Sequence, residues 1–337
     1  MNEHDLIRRI AAQFPRSGLQ ANALFGCDAE IIKIGGRWWC LTMDEFSPEE
    51  DLFTSGSPET LGANLAVATL SDLLACGAEP AFFMQSLVLP KTAAGGFVDG
   101  VTAGIKKVLT AAGCHLCGGD LGSAENWRYT GFAMGPAPDS GPVSHNLGGG
   151  DFTLWVTGRL GDANFAALNK LPTPLFELRL AESKVMRSRA AACIDTSGGL
   201  VDALWLLHGQ NPLLRFEIDL ERVPLAEGIS DFSKASGIPA GAFLLGGAGE
   251  YELLFALPGK LSDPQLRKMQ KIGVTRIGRA YLDRKPGVSF LRGKARSSEM
   301  RKAPPCPREF ATVKSYTRAV LAVSRELFPG MGGKQKR

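Results

Sequence analysis

Five aspartates stand in contexts suited to cation and phosphate chemistry. Four follow a strand end or a Gly/Ser-rich turn: Gly26-Cys27-Asp28, Thr42-Met43-Asp44, Gly118-Gly119-Asp120 and Ile194-Asp195-Thr196-Ser197-Gly198-Gly199. The fifth, Asp72, interrupts an apolar helical stretch, where a lone carboxylate is costly unless it is paired or binds a cation. Hard oxygen ligands of this kind suit magnesium, which one or two carboxylates and substrate phosphates usually hold. Phosphoryl transfer needs such positioning and charge neutralisation more than a protein nucleophile. Glycines beside the carboxylates let backbone N–H groups approach phosphate. Any one Gly-Asp pair is most often only a turn, so the weight lies in the recurrence. No Gly-x4-Gly-Lys-Ser/Thr loop occurs, nor a Gly-x-Gly-x-x-Gly between a strand and a helix, which excludes P-loop and dinucleotide-binding designs. The run Gly148-Gly149-Gly150-Asp151 precedes a strand and reads as a loop.

These residues need elements to position them. Residues 58–78 read as a helix capped by Ser57, with Pro58 in its first turn and Gly77 near its end; Leu65, Thr69, Asp72 and Cys76 share one side. Strands are expected at 81–89, 114–117, 129–136, 152–157, 192–195, 214–220 and 252–257. Helices are expected at 95–112, from 163, and at 176–190, 199–208 and 263–271. The alternation favours an α/β or mixed α+β architecture. The Pro/Gly/Ser-rich stretch 136–150 has linker composition and sets a boundary between a domain over 1–140 and a second over 141–325, followed by a flexible basic tail at 326–337.

A length of 337 residues suits two domains, and 45% hydrophobic with 21% charged residues suits a globular core. The net charge is only +4, and the late basic residues Arg284, Lys285, Arg292, Lys294, Arg296, Arg301 and Lys302 lack interleaved aromatics; they read as a solvated face, not a nucleic-acid surface. No apolar run is long enough to span a membrane and the N-terminus lacks a signal-peptide core, so a cytoplasmic protein is expected. Seven cysteines, an odd number in a large chain, suggest reduced thiols. Cys114-His115-Leu116-Cys117 has the spacing of a metal half-site without a second half, and reads as a strand of small apolar residues.

The order of the motifs resembles thiamine-monophosphate kinase, within the superfamily of aminoimidazole ribonucleotide synthetase, selenophosphate synthetase and a hydrogenase maturation protein. Gly26-Cys27-Asp28-Ala29 is similar to the family's Gly-Asp-Asp-Ala, and Leu41-Thr42-Met43-Asp44 to its Thr-Thr-Asp. The segment Leu65 to Ala78 matches Leu-Ala-Val-Asn-Leu-Ser-Asp-Leu-Ala-Ala-Met-Gly-Ala, with Thr69 in place of Asn, and is the most specific match. Gly118-Gly119-Asp120, Val156 to Asp162, Ile194 to Leu200, and Gly246 to Phe255 follow in family order. The resemblance implies a two-domain fold whose N-terminal domains form a shared barrel in a homodimer, with an α/β C-terminal domain and small-molecule substrates. It further implies magnesium-ATP, with Asp28, Asp44, Asp72, Asp120 and Asp195 as metal ligands. Asp72, Asp120 and Asp195 are then expected to be catalytic; Thr42, Gly118, Gly119, Asp120 and Ser197 to contact the nucleotide; and Asp51 and Glu250 to lie on the substrate side.

Departures from the family pattern are chemical. Cys27 and Gly198 replace aspartates, with Asp202 able to compensate in part for the second; Leu121 and Gly122 replace two threonines, Ser144 an arginine, and Gly249 a glutamate that Glu250 could supply by a one-residue shift. The run Phe46 to Leu52 lacks the family's substrate-side histidine, and its closing aromatic-Asp-His-Phe motif is not recognisable in 300–320. A pocket loses discrimination when its polar anchors change, so a divergent acceptor is expected. An ATP-dependent phosphotransferase is therefore the expectation; the alternatives are a synthetase or ligase on the same scaffold, or a non-catalytic nucleotide-binding homologue.

Overall fold

In the computed structural model of the chain, residues 3–259, 264, 269, 271–293 and 295–329 are described. The helix expected at 263–271 lies largely outside them, as does the end of the basic tail, 330–337. After helix α1 (Glu3–Ala11), the first half builds one sheet from β1 (Glu30–Ile34), β2 (Arg37–Phe46), β3 (Phe82–Leu89), β4 (His115–Ser123) and β5 (Arg128–Pro136), in the order β1-β2-β5-β3-β4. Its pairings are antiparallel except β3 with β4, which are parallel and are separated in sequence by helix α3 (Gly95–Ala112). The sheet is open, with β1 and β4 at its edges. The shared barrel implied by the resemblance is not formed within one chain.

Helix α2 (Pro58–Ala75) is the keystone. Ser57 accepts from the Thr60 N–H at 3.1 Å and Pro58 fits the first turn, so the start follows the local code. The helix is apolar on nearly every side because it is enclosed: it packs on β2 and β5, on α3, and on strand β7 (Ala192–Asp195) and helix α5 (Leu180–Met186) of the second half. On β5, alternate residues Tyr129, Gly131, Ala133 and Gly135 are buried, and the small ones admit the helix closely.

The second half adds β6 (Phe152–Thr157), α4 (Asp162–Asn169), α6 (Leu200–Gln210), β8 (Leu214–Asp219), α7 (Ile229–Ser236), β9 (Leu253–Pro258), β10 (Val274–Leu282), β11 (Gly287–Arg292), β12 (Ala295–Glu299) and α8 (Val313–Leu327). Its sheet runs β12-β11-β8-β10-β6-β9-β7, parallel only between β11 and β8. Strand β6 is buried on both faces. Leu154 and Val156 join a core with Leu204, Leu207, Phe216 and Phe290, while Trp155 joins another with Leu74, Cys193 and Phe255. The second core crosses from α2 into the second sheet, so the two sheets are packed together through α2.

Several expected bounds change. The strand expected at 114–117 forms from His115 and runs on to Ser123, taking in Gly118, Gly119 and Asp120, which are therefore not in a turn; all of β4 is exposed. The helix expected at 176–190 is only α5. Of the tail expected at 326–337, the described start is not flexible chain: α8 reaches Leu327 and Phe328 is buried against Phe290, 5.0 Å between ring centroids. The linker-like stretch 136–150 is a packed connection, with Val143, His145 and Leu147 buried.

Candidate functional site

Four of the five aspartates converge where the two sheets meet on α2. Asp72, near the end of α2, accepts a hydrogen bond from the Thr42 hydroxyl of β2 at 2.5 Å. Its neighbour Ser71 donates to Asp195 at the end of β7, also at 2.5 Å. The Asp195 backbone N–H donates to Asp28 at 3.0 Å, and the Ser197 N–H donates back to Asp195 at 3.0 Å. Asp44 lies two residues past Thr42 on β2, and its carboxylate has no hydrogen-bond partner among the described residues. Secondary structure explains the meeting: adjacent residues 71 and 72 on one helix reach two different sheets.

The electrostatics follow from crowding. Burial, then the charge of Asp195, pushes Asp44 up to about 7 against the opposing charge of Arg308. Burial pushes Asp28 up to about 6, with His145 opposing and Asp195 adding. Asp72 is held well above the carboxylate range by burial, then by Asp44, Asp195 and Asp28. His145 Nε2 lies 3.1 Å from Asp28 and its Nδ1 2.8 Å from the Phe25 carbonyl. Burial alone would lower its pKa, but the Asp28 charge and hydrogen bond raise it to about 9. Half-buried carboxylates that repel one another around the buried Asp195 favour a cation. Hard oxygen donors fit magnesium. Among the described residues no three His, Cys, Asp or Glu groups close on one ion position. Magnesium, which keeps several waters and shares phosphate oxygens, does not require such a cage.

Asp120 lies elsewhere. It is exposed at mid-β4, opposite Ser86 on β3, and is not among the charges that act most strongly on Asp28, Asp44 and Asp72. Gly119 beside it has a backbone reason to be glycine, since a Cβ there would come 2.1 Å from the Gln85 carbonyl oxygen, next to a register shift between β3 and β4. Thr42 is buried and committed to Asp72, whereas Ser197 is exposed before α6. Ser144, where the resemblance expects an arginine, accepts from the Asn146 N–H at 3.2 Å.

On the substrate side, Asp51 accepts from the Ser47 N–H at 2.7 Å, and burial pushes it up to about 6. The one-residue shift at 249/250 does not restore an acid facing the aspartates. Gly249 has φ +62, and a Cβ would sit 2.9 Å from the Ser197 carbonyl oxygen, so this loop excludes a glutamate at 249. Glu250 turns instead to the N-terminus of α4, accepting from the Gly161 N–H at 3.0 Å; burial pushes it up to about 8. It lines a cleft of about 300 Å³ with Glu252, Arg159 and Arg179. Gly198 behaves differently: a Cβ there would meet Asp202 Oδ2 at 2.4 Å, so the Asp202 carboxyl fills the space beside it. Burial, then Glu3 and Asp195, pushes Asp202 up to about 7.

Three side chains at the site carried no periodic signal. His145 sits in a connection of linker composition, and Arg308 in a short 3-10 turn, Pro307–Glu309. Tyr251 has φ +56, a strained conformation for a residue with a side chain. Burial, then the charges of Asp44, Asp51, Asp195 and Asp72, holds its phenol well above the usual range. Its place in the matched run Gly246 to Phe255 was the signal available.

A family model described as AIR synthase related protein, N-terminal domain, matches residues 26–137. The thiamine-monophosphate kinase of Pyrococcus abyssi is 27% identical over 269 residues, spanning 77% of this chain and 83% of that protein. That of Haemophilus influenzae is 26% identical over 296 residues, spanning 81% and 87%. Among solved structures, AaThiL complexed with AMPPCP and TMP superposes with a TM-score of 0.72 at 22% identity, over 89% of this chain and 97% of that one. HypE in its complex with HypF superposes with a TM-score of 0.71 at 18% identity, over 89% and 99%.

Proposed function

We propose, from the premise that this chain belongs to the aminoimidazole ribonucleotide synthetase superfamily, that it is a magnesium- and ATP-dependent phosphotransferase resembling thiamine-monophosphate kinase, with a divergent small-molecule acceptor. The observation that carries this reading is the convergence of Asp28, Asp44, Asp72 and Asp195 from four separate segments without enough cations to neutralise them. These four would hold magnesium, which when bound supplies charge neutralisation to phosphate oxygens. Thr42 and Ser71 fix the rotamers of Asp72 and Asp195, so the carboxylates are oriented before a ligand arrives. His145 does the same for Asp28. Ser197 is assigned to the nucleotide, whereas Gly118 and Gly119 stand on β4 with Asp120 and would reach it only with the second copy. The acceptor would lie near Asp51 and Tyr251, where the sequence departs most from the family pattern, while Glu250 serves the fold through α4.

A homodimer is part of the proposal. The edge strand β4 is exposed along its whole length, and the exposed apolar side chains Met43, Phe82, Met84, Leu116 and Leu121 lie on β2, β3 and β4. Pairing of two such sheets would cover that surface and the open edge. Asp120 stands on this strand, and its part in the site is proposed to need the second copy. No described helix is long and apolar enough to cross a membrane, and dependence on ATP is the reason to place the protein in the cytoplasm.

The experiment is product analysis by phosphorus NMR after incubation with magnesium-ATP and a panel of phosphorylated and amine-bearing metabolites that includes thiamine monophosphate. The expected result is ADP together with phosphate transferred to an acceptor. ADP with free phosphate and a new C–N bond would replace the kinase with a ligase, and no ATP turnover with any acceptor would remove the enzymatic reading.

A further inference from the structure

The C-terminal turn brings an arginine to the mouth of the aspartate cluster. Arg308 Nε lies 3.2 Å from Glu50 Oε2 in the loop after β2, and an Arg308 Nη1 hydrogen bond reaches Glu3 of α1. Cys306 Sγ also donates to Glu3, at 3.4 Å. The turn thus ties α1 and the 47–51 loop together over the end of β2 that carries Asp44.

The surroundings of this arginine are almost all anionic. Its charge opposes the burial of both Asp44 and Asp51, and Glu3 and Glu309 act on the neighbouring Asp202. His145, the basic group beside Asp28, is committed to Asp28 and the Phe25 carbonyl. A phosphate drawn into such a field needs a cation beyond any metal held by the aspartates, and a planar guanidinium matches phosphate oxygens two at a time. Arg308 is free to change partners. Its side chain is 45% exposed, that of Glu50 45% and that of Glu3 34%, and ion pairs so open to water contribute little.

We propose that Arg308 is the phosphate-binding arginine of this site, exchanging Glu3 and Glu50 for phosphate oxygens of the terminal nucleotide phosphate or of a phosphorylated acceptor. The proposal rests on the reading of the aspartate cluster as a magnesium–nucleotide site. It assigns the C-terminal turn a role in ligand capture as well as in tying down α1.

Titration calorimetry in magnesium tests it with two ligand pairs: AMPPCP against ADP, and thiamine monophosphate against thiamine. Arg308→Ala should weaken one phosphate-bearing ligand by roughly tenfold to a hundredfold and leave its partner within about twofold. The pair affected identifies which phosphate Arg308 meets. Glu3→Gln with Glu50→Gln should tighten the same ligand by about twofold or more, and that gain should vanish when Arg308→Ala is added. A purely structural tie predicts otherwise: both variants lower the thermal midpoint and neither changes the preference for phosphate, which would overturn the proposal. If wild-type protein binds AMPPCP with magnesium and Arg308→Ala binds it and thiamine monophosphate equally well, only the Arg308 assignment falls. If wild-type protein binds neither ligand, the nucleotide-site reading falls and the Arg308 assignment with it.

Discussion

The segment 250–252 separates two groups of buried and half-buried acids that are treated differently. Glu250 and Glu252 face the cleft beside α4, and each is satisfied by the fold. Glu252 receives Arg179 through two hydrogen bonds, at 2.6 and 2.5 Å, plus the Thr157 hydroxyl, and Glu250 receives the N-terminus of α4. Tyr251, between them, faces Asp44, Asp72 and Asp195, which mostly face one another. Glu252 is structural because its counter-charge, Arg179, is built in, and Glu250 is held by the Gly161 N–H at the start of α4. The other group is functional in design, because its counter-charge has to arrive with a ligand.

That contrast can be broken by removing partners. Arg179→Ala leaves Glu252 buried and unpaired and is expected to cost about 3 kcal/mol or more, read as a lower urea midpoint with an unchanged slope. An unaltered midpoint would mean that the first group is no more satisfied than the second. Asp44→Asn should act in the reverse sense, raising the metal-free stability by about 1 kcal/mol, since it removes a repelling charge that has no hydrogen-bond partner. A loss of stability in this variant would show that Asp44 already has its counter-charge.

The smallest effect is on pH dependence. Asp28 and Asp44 have folded-state pKa values raised to about 6 and about 7, so between about pH 4 and pH 7 the native state binds more protons than the unfolded chain. Metal-free stability should therefore fall as pH rises through that window. His145, raised to about 9, acts in the same direction above its ordinary value: its contribution is present below about 6.5 and lost as pH rises through about 9. Saturating magnesium should flatten the lower part of the profile, and urea midpoints measured at several pH values would record it. A profile rising between pH 4 and 7 would contradict the assigned crowding.

Much of this was readable in the sequence where local rules govern. The cap and first turn of α2, the whole of α3, β6 and β7 follow from Ser57, Pro58 and the periodic apolar positions. Asp28, Asp44, Asp72 and Asp195 stood out by their context and do converge. What escaped is set by tertiary partners. The resemblance puts Glu250 on the substrate side by a one-residue shift; its carboxylate accepts from the Gly161 N–H at the start of α4, a tertiary partner that the local sequence does not show. The glycines before Asp120 suggested a phosphate turn, whereas strand pairing against Gln85 is enough to require Gly119. His145 and Arg308 lie in segments without periodicity, and only the packing of distant chain brings them to the carboxylates.

The most direct measurement is calorimetric titration of AMPPCP into the wild-type protein and into Asp72→Asn, each with and without magnesium. The account predicts that magnesium tightens binding to the wild type by tenfold or more, on the order of 1.4 kcal/mol, and that Asp72→Asn loses most of that gain while its metal-free binding is preserved. Equal affinity with and without magnesium in the wild type, or a full magnesium effect in Asp72→Asn, would contradict it.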